Sequence, residues 1–130
     1  MMELYCAEHQ RTYREDEDCV DCLARIRFNP DARHLWIDDV RLPPDDTWLW
    51  AKNSRQAIAM LDAEIIDYIA FDFDLGGDDT ALPVLHKIEE EAYNGKKPPR
   101  WNAHTANPVG RNHIETIMSK ALELWHDTKR

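Results

Sequence analysis

Two apolar runs that each end in acidic residues constrain this chain most strongly. The runs are His34 to Ile37 and Ile65 to Phe71. The acidic residues that follow them are Asp38, Asp39, Asp72 and Asp74. If the runs form neighbouring parallel strands, their carboxylates meet at the carboxyl edge of the sheet, where open α/β folds bind ligands. Clustered carboxylates suit a divalent cation, so the sequence predicts a Mg²⁺ or Mn²⁺ site at this edge.

From residue 34 onward the apolar pattern alternates between the period of strands and that of helices. The strand candidates are 34–37, 48–51, 65–71 and 100–105. The first helix candidate is capped by Ser54 and has its apolar positions at Ala57, Ile58, Leu61 and Ile65. The other two helix candidates are 81–92 and 114–125. This alternation predicts an α/β fold with a mostly parallel sheet. Only eight residues, 40–47, join the first two strands, whereas a parallel crossover usually takes a dozen or more. The link is therefore either an extended crossover without a helix or an antiparallel excursion.

All three cysteines lie in the first 22 residues, in two short pairs. The pairs are Cys6-x-x-His9 and Cys19-x-x-Cys22. Two chelating pairs separated by a loop suit a tetrahedral ion, and four protein ligands leave no open position, so the motif predicts structural Zn²⁺. A disulfide and unrelated thiols are the alternatives. The predicted organisation is a zinc knuckle at 1–24, a connector at 25–33 and an α/β domain at 34–130.

Composition limits the partners of the chain. Its 130 residues suffice for one domain with a core, and its apolar fraction of 43% argues against wholesale disorder. No apolar run is long enough to span a membrane, and no secretory signal is visible, so we expect a cytoplasmic protein. The formal charge of −9 argues against nucleic acid and anionic membranes as partners. A small phosphate-containing ligand and a protein partner both remain open.

The order of these motifs resembles the receiver domains of bacterial phosphorelays. The acidic pair Asp38-Asp39, the acceptor-like Asp72 and the loop from Asp72 to Asp79 follow their pattern, and Thr105-Ala106 matches their hydroxyl position. The resemblance implies a truncated, flavodoxin-like three-layer sandwich of about four mostly parallel strands. Receivers also present a lysine from a fifth strand, and no fifth strand fits the residues that follow Thr105.

Three further segments are similar to a divergent branch of this family, the cyclic-phosphate processing receiver-like domains of bacteria and phages. They are Arg41-x-Pro43, Asp72-x-Asp74-Leu-Gly and the stretch from His104 through Asn107 and Gly110 to Arg111-Asn112. The resemblance implies a site that processes a cyclic or terminal phosphate, with Thr105, Asn107 and Arg111 among its binding residues.

The residues suggest a mechanism for such a site. Asp39 and Asp72, with Asp38 through water and the backbone carbonyl of Asp74, would hold the cation. Arg41 would clamp a phosphate bidentately. His104 would act as general acid or base, and Asn107 with the free amides opening the last helix would donate to an anion.

Each assignment has a structural alternative. The acidic pair can simply face solvent, and Arg41 can pair with Asp45 or Asp46. His104 can be a hydrogen-bonded core histidine, and Asn107-Pro108 can simply cap the last helix. Three function classes therefore remain: a metal-dependent phosphoesterase, which the residues favour narrowly, a catalytically silent binding module with a zinc-stabilised docking tip, and a phospho-accepting receiver.

Overall fold

Four parallel strands form the larger of two sheets in this computed structural model, which describes residues 3–6, 11–14 and 32–129. The strands are β1 (Glu3–Cys6), β2 (Arg11–Arg14), β3 (Arg33–Ile37), β4 (Leu49–Ala51), β5 (Ile66–Phe71) and β6 (Arg100–Ala103). The helices are α1 (Ser54–Ala63), α2 (Leu82–Tyr93) and α3 (Pro108–Thr128). The large sheet has the order β4-β3-β5-β6, and every neighbouring pair in it is parallel. The predicted α/β fold of truncated receiver type is confirmed.

The link between the first two strands of this sheet is an extended crossover without a helix. Residues 38–48 connect β3 to β4, and Leu35 pairs with Leu49 in parallel register. The chain then returns past β3, through α1, to form β5. The chain thus places β4 on one side of β3 and β5 on the other. The carboxyl ends of β3 and β5 therefore flank the topological switch point of the sheet, where open α/β sheets bind ligands.

The hydrophobic core lies between one face of the sheet and the three described helices. Side chains alternate between the two faces along a strand. Leu35 and Ile37 of β3 and Ile69 and Phe71 of β5 are completely buried on the helix face. The helices contribute Ala57 and Leu61, Val84, Leu85, Ile88 and Ala92, and Ile114, Met118 and Ala121. The predicted helical stripes thus form one continuous core.

Aromatic side chains occupy the opposite face of the sheet. The ring of Trp48 makes edge contacts with those of His34, Trp36 and Tyr68, at centroid distances of 4.3, 5.7 and 5.9 Å. Tyr68 is buried, and so are the neighbouring Arg100 and Asn102. Among the described tryptophans, only Trp101 is buried in the core between the sheet and the helices. Much of the aromatic side-chain surface therefore lies on the face of the sheet opposite the helices.

The start of α1 differs from the sequence prediction. Asn53, not Ser54, is the N-cap, because its side chain accepts a hydrogen bond from the Gln56 amide at 2.8 Å. Ser54 is instead the first helical residue. The helix ends at Ala63, and Ile65, predicted to continue its apolar face, is exposed.

In the N-terminal segment, β1 and β2 form a short antiparallel pair in which Cys6 of β1 is in register with Arg11 of β2. Of the four predicted zinc ligands, His9, Cys19 and Cys22 lie outside the described residues. Within the described part of the chain, no helix has the length and apolar character needed to cross a membrane.

Candidate metal and phosphate site

Three carboxylates converge at the switch point of the sheet. The backbone amide of Asp38 donates to Ala51 and that of Asp72 donates to Ile37, so each acid follows directly from its strand ladder. One oxygen from each of Asp38, Asp39 and Asp72 lies within 4.8 Å of the others. The structure therefore brings these carboxylates together at this edge of the sheet, as the sequence predicts.

Asp38 is the most enclosed of the three, with 1% of its surface exposed. Its Oδ1 accepts hydrogen bonds from the amides of Val40 and Arg41, both at 2.8 Å, and its Oδ2 lies 3.0 Å from Nε2 of His104. Burial alone would raise the pKa of Asp38, but the hydrogen bonds from His104 and from the two amides outweigh it and lower that pKa. Asp38 is therefore held ionised, with both oxygens engaged by protein.

Asp72 has the opposite electrostatic environment. Burial, and then the negative charge of Asp38, raise its pKa, although His104, the Phe73 amide and the Thr105 hydroxyl favour the ionised form. The Phe73 amide donates to Oδ1 of Asp72 at 2.8 Å. The raised pKa means that the ionised Asp72 carboxylate carries a net electrostatic penalty, first from burial and then from the charge of Asp38, which the neighbouring donors do not offset. A bound cation would relieve it, so the donor set fits a hard divalent ion.

His104 follows β6 and reaches back toward β3. Its ring stacks on Trp36 with centroids 4.1 Å apart and planes 4° from parallel. Because the ionised Asp38 can only accept, Nε2 of His104 is the donor in their contact. Nδ1 of His104 is buried and has no hydrogen-bond partner among the residues described. The side chain is thus fixed by a hydrogen bond and by ring packing, with 5% of the residue exposed.

Two arginines flank this edge, held by consecutive carbonyls after β6. The guanidinium of Arg41 donates to the His104 carbonyl at 3.2 Å, and that of Arg111 donates to the Thr105 carbonyl at 3.0 Å. Arg41 comes from the crossover after β3, whereas Arg111 comes from the first turns of α3. The two guanidinium groups at this edge therefore come from two different elements, the crossover after β3 and the helix α3.

Asn107 joins α3 to the loop that follows β5. Its side-chain oxygen accepts from the amides of Val109 and Gly110, which makes it the N-cap, and Pro108 is the first helical residue. Its Nδ2 donates to Oδ2 of Asp74 at 3.1 Å. The predicted capping role of Asn107-Pro108 is confirmed. The Asp74 carboxylate accepts a hydrogen bond from Asn107 and is not one of the three converging acids.

The loop after β5 is closed by glycines and by Asp79. Gly76 and Gly77 adopt positive φ of 89° and 55°, and a Cβ on Gly76 would lie 3.2 Å from Oδ2 of Asp39. Asp79 accepts from the amide and the hydroxyl of Ser54, at 2.8 and 2.6 Å. The turn is therefore anchored to the start of α1 and passes close to the acidic edge.

Most of the predicted site residues lie at this one edge. Asp38, Asp39, Asp72, Arg41, His104, Thr105, Asn107 and Arg111 are linked there by the contacts described above, while their chemical roles stay predictions. Sequence reasoning missed Trp36, which contacts His104 and donates from Nε1 to the Arg41 carbonyl at 2.9 Å. The available signal was strand alternation, which places Trp36 on the face opposite Leu35 and Ile37.

An open parallel sheet with acidic residues at the carboxyl ends of its two central strands defines the class of receiver-like domains. The family model described as Cyclic-phosphate processing Receiver domain matches residues 33–120, and the chain belongs to this family. The predicted resemblance is thereby confirmed. Comparison with curated proteins and with solved structures gave no match.

Proposed function

We propose that this domain is a metal-dependent phosphoesterase that opens a small cyclic phosphodiester or removes a terminal phosphate. The observation that carries the proposal is the convergence of Asp38, Asp39 and Asp72 at the switch point, in a member of this family. Arg41 lies beside them on the His104 carbonyl. The edge thus offers ligands for a cation and a guanidinium for an anion at one place.

Asp39 and Asp72 would bind the cation directly, with the backbone carbonyl of Asp74 as a further oxygen ligand. Asp38 would act through water, because amides and His104 already engage its oxygens. Bound there, Mg²⁺ or Mn²⁺ supplies Lewis-acid polarisation of a phosphoryl oxygen and orients the attacking water. The Thr105 side chain lowers the pKa of Asp72, against the larger effects of burial and of the Asp38 charge, and so favours the ionised form that a cation needs.

The side chains around the edge would perform the remaining steps. Arg41 binds the nonbridging phosphoryl oxygens, and Arg111 and Asn107 position the other side of the ligand. A water oxygen bonds to phosphorus while the ester P–O bond breaks. The leaving oxygen would take a proton from Nδ1 of His104, because Nε2 already donates to Asp38, and the attacking water would release one proton to solvent, so the atoms of one water molecule are divided between the two products.

A test compares hydrolysis of cyclic mononucleotides, cyclic dinucleotides and 2′,3′-cyclic phosphates with Mg²⁺ or Mn²⁺. We expect Asp72→Asn and His104→Ala to lose at least about a hundredfold in turnover. Asp78→Asn, an exposed acid in the same loop, and His86→Ala, an exposed histidine on α2, are the matched controls. A folded wild-type protein with no turnover across the panel overturns the proposal.

The binding-module alternative draws support from one observation, the enclosure of Asp38 and His104. A buried acid with three hydrogen-bond contacts and a histidine stacked on tryptophan can be retained for structure alone. A silent module predicts that cation and phosphate compounds bind without turnover. The receiver alternative is weaker, because the described sheet ends at β6 and offers no fifth strand to present a lysine.

A further inference from the structure

We propose that Trp36 is a positioning residue of this site, fixing both the His104 ring and the Arg41 backbone. The structural role of Trp36 rests on geometry alone, whereas its effect on turnover rests on the proposed function. Trp36 is half-buried and lies on the face of β3 opposite the core. It therefore contributes little to the packing of the helices, and two of its specific contacts, with His104 and with the Arg41 carbonyl, lead to the site.

The first contact fixes the imidazole of His104. Trp36 lies on β3, and His104 follows β6, with β5 between the two strands. Trp36 is in register with Ala70 and Asn102, whereas His104 lies two residues beyond Asn102, so the two rings meet diagonally across β5. The stack and the Asp38 hydrogen bond together restrain both side-chain torsions of His104.

The second contact fixes the turn that carries Arg41. The amide of Arg41 donates to Asp38, and its carbonyl accepts from Nε1 of Trp36. Its guanidinium returns to the His104 carbonyl. Trp36, His104, Asp38 and Arg41 thus form a closed cycle of contacts, in which Trp36 is the only member without an ionisable group. Trp36 therefore restrains the positions of the other three residues and adds no charge to the site.

Trp48 supports Trp36 from the other side, with an edge contact at 5.7 Å and 77°. Because the indole is braced in this way, its plane cannot rotate freely to release His104. Positional errors of about 1 Å at a reacting group can cost up to about a hundredfold in rate. A tryptophan that touches no reacting atom can therefore affect turnover.

Two variants separate the contacts. Trp36→Phe keeps an aromatic plane but loses the Nε1 donor, so hydrogen exchange of the Val40 and Arg41 amides should accelerate by about tenfold. Trp36→Leu also loses the stack, so the ring protons of His104 should move downfield in NMR spectra. Trp125→Phe, on α3 and outside this cycle of contacts, is the matched control. Unchanged exchange in Trp36→Phe, or an unchanged His104 ring in Trp36→Leu, overturns the proposal.

Kinetics test the catalytic consequence. We expect Trp36→Leu to lower kcat by about tenfold or more with little change in KM, since ring orientation affects the proton transfer. Mn²⁺ affinity should stay within about twofold of wild type, because Trp36 contacts neither Asp39 nor Asp72. A kcat equal to wild type in a correctly folded Trp36→Leu overturns this part. Absence of wild-type turnover overturns the proposed function instead, and the exchange and NMR measurements still decide the role of Trp36.

Discussion

Nδ2 of Asn107 lies 3.1 Å from Oδ2 of Asp74, so the N-cap of the last helix is fastened to the loop after the central strand. The same side chain caps α3 through its oxygen. One residue thus couples helix initiation to the position of a loop that borders the acidic edge. The two contributions can be separated, because a serine can cap a helix but is too short to reproduce the amide donor.

Asn107→Ala should lower the free energy of unfolding by about 1 kcal/mol, the usual effect of losing an N-cap. Asn107→Ser should recover most of that loss, since its hydroxyl accepts from the same amides. Denaturant unfolding of the two variants measures the difference. Equal destabilisation by both variants would mean that the contact with Asp74, not the cap, holds this junction.

Gly110→Ala should destabilise the protein although alanine is the better helix former. A Cβ at Gly110 would lie closer than 3.0 Å to three side-chain atoms of Phe73. Helix propensity favours alanine by about 1 kcal/mol, whereas overpacking costs about 1–3 kcal/mol, so we expect a net loss. Val109→Ala, at the exposed neighbouring position, should change stability by less than about 0.5 kcal/mol. A stabilised Gly110→Ala protein would show that Phe73 moves away without cost.

Asp72→Asn should stabilise the cation-free protein while abolishing any stabilisation by Mn²⁺. Burial and the Asp38 charge raise the Asp72 pKa, so the ionised carboxylate opposes folding at neutral pH. We expect a gain on the order of 0.5–1 kcal/mol, or a few degrees in Tm, in EDTA. Thermal unfolding with and without Mn²⁺ measures both effects. A lower Tm for Asp72→Asn in EDTA would contradict the raised pKa.

Asp38→Ala is the informative contrast, because it should destabilise the protein under the same conditions. It leaves two backbone amides and His104 without their acceptor, at a cost of about 2–3 kcal/mol. The Asp38 pKa is lowered in the folded protein, so its stabilisation is present above the ordinary value of 3.8 and is lost as the pH falls below it. If Asp38→Ala and Asp72→Asn shift Tm in the same direction, the division of roles between these acids is wrong.

The strands and the acidic edge could be predicted because their signals are local. An apolar run followed by acids specifies both a buried strand and the chemistry at its end, and the meeting of Asp38 with Asp72 follows from parallel pairing alone. The N-cap of α1 was misplaced by one residue because Asn53 and Ser54 are both good caps. Only the fold decides, by giving the Ser54 hydroxyl a different partner in Asp79.

The contacts that orient the site could not be predicted, because they join residues far apart in the chain. His104 and Asp38 are 66 positions apart, and no local pattern links them. The stack of His104 on Trp36 joins residues of two strands that β5 separates, and so depends on the register of three strands. Sequence periodicity assigns each residue to a face but does not determine which rings meet there.

Glu91→Gln should destabilise the protein at neutral pH and have little effect in acid. The Glu91 carboxylate contacts Lys87 at 2.9 Å and Lys96 at 3.1 Å. Burial raises its pKa, but the hydrogen bonds from Lys87 and Lys96 outweigh burial and lower it. The stabilisation is therefore present above the ordinary pKa of 4.5 and is lost as the pH falls below it.

These ion pairs are partly exposed, with 29% of the Glu91 side chain accessible to solvent, so we expect a difference of about 0.5 kcal/mol between Glu91→Gln and wild type at pH 7. Urea unfolding at that pH and at about pH 3 measures whether the difference disappears. Glu115→Gln, which changes a glutamate of α3 without removing these contacts, is the control. A difference that persists in acid would mean that Glu91 acts through packing and not through its charge.

The N-terminal motif predicts one zinc ion per chain, a proposal separate from the acidic edge. Cys6 is the last residue of β1, and His9, Cys19 and Cys22 lie outside the described residues, so the four-ligand site is predicted from the spacing of the two pairs. Elemental analysis should find one equivalent of zinc in the wild type and at most a trace in Cys19→Ser, with His86→Ala as the control. Because four protein ligands close the coordination sphere, chelation should unfold this segment without changing Mn²⁺ binding at Asp39 and Asp72. Full zinc content in Cys19→Ser would exclude the four-ligand site.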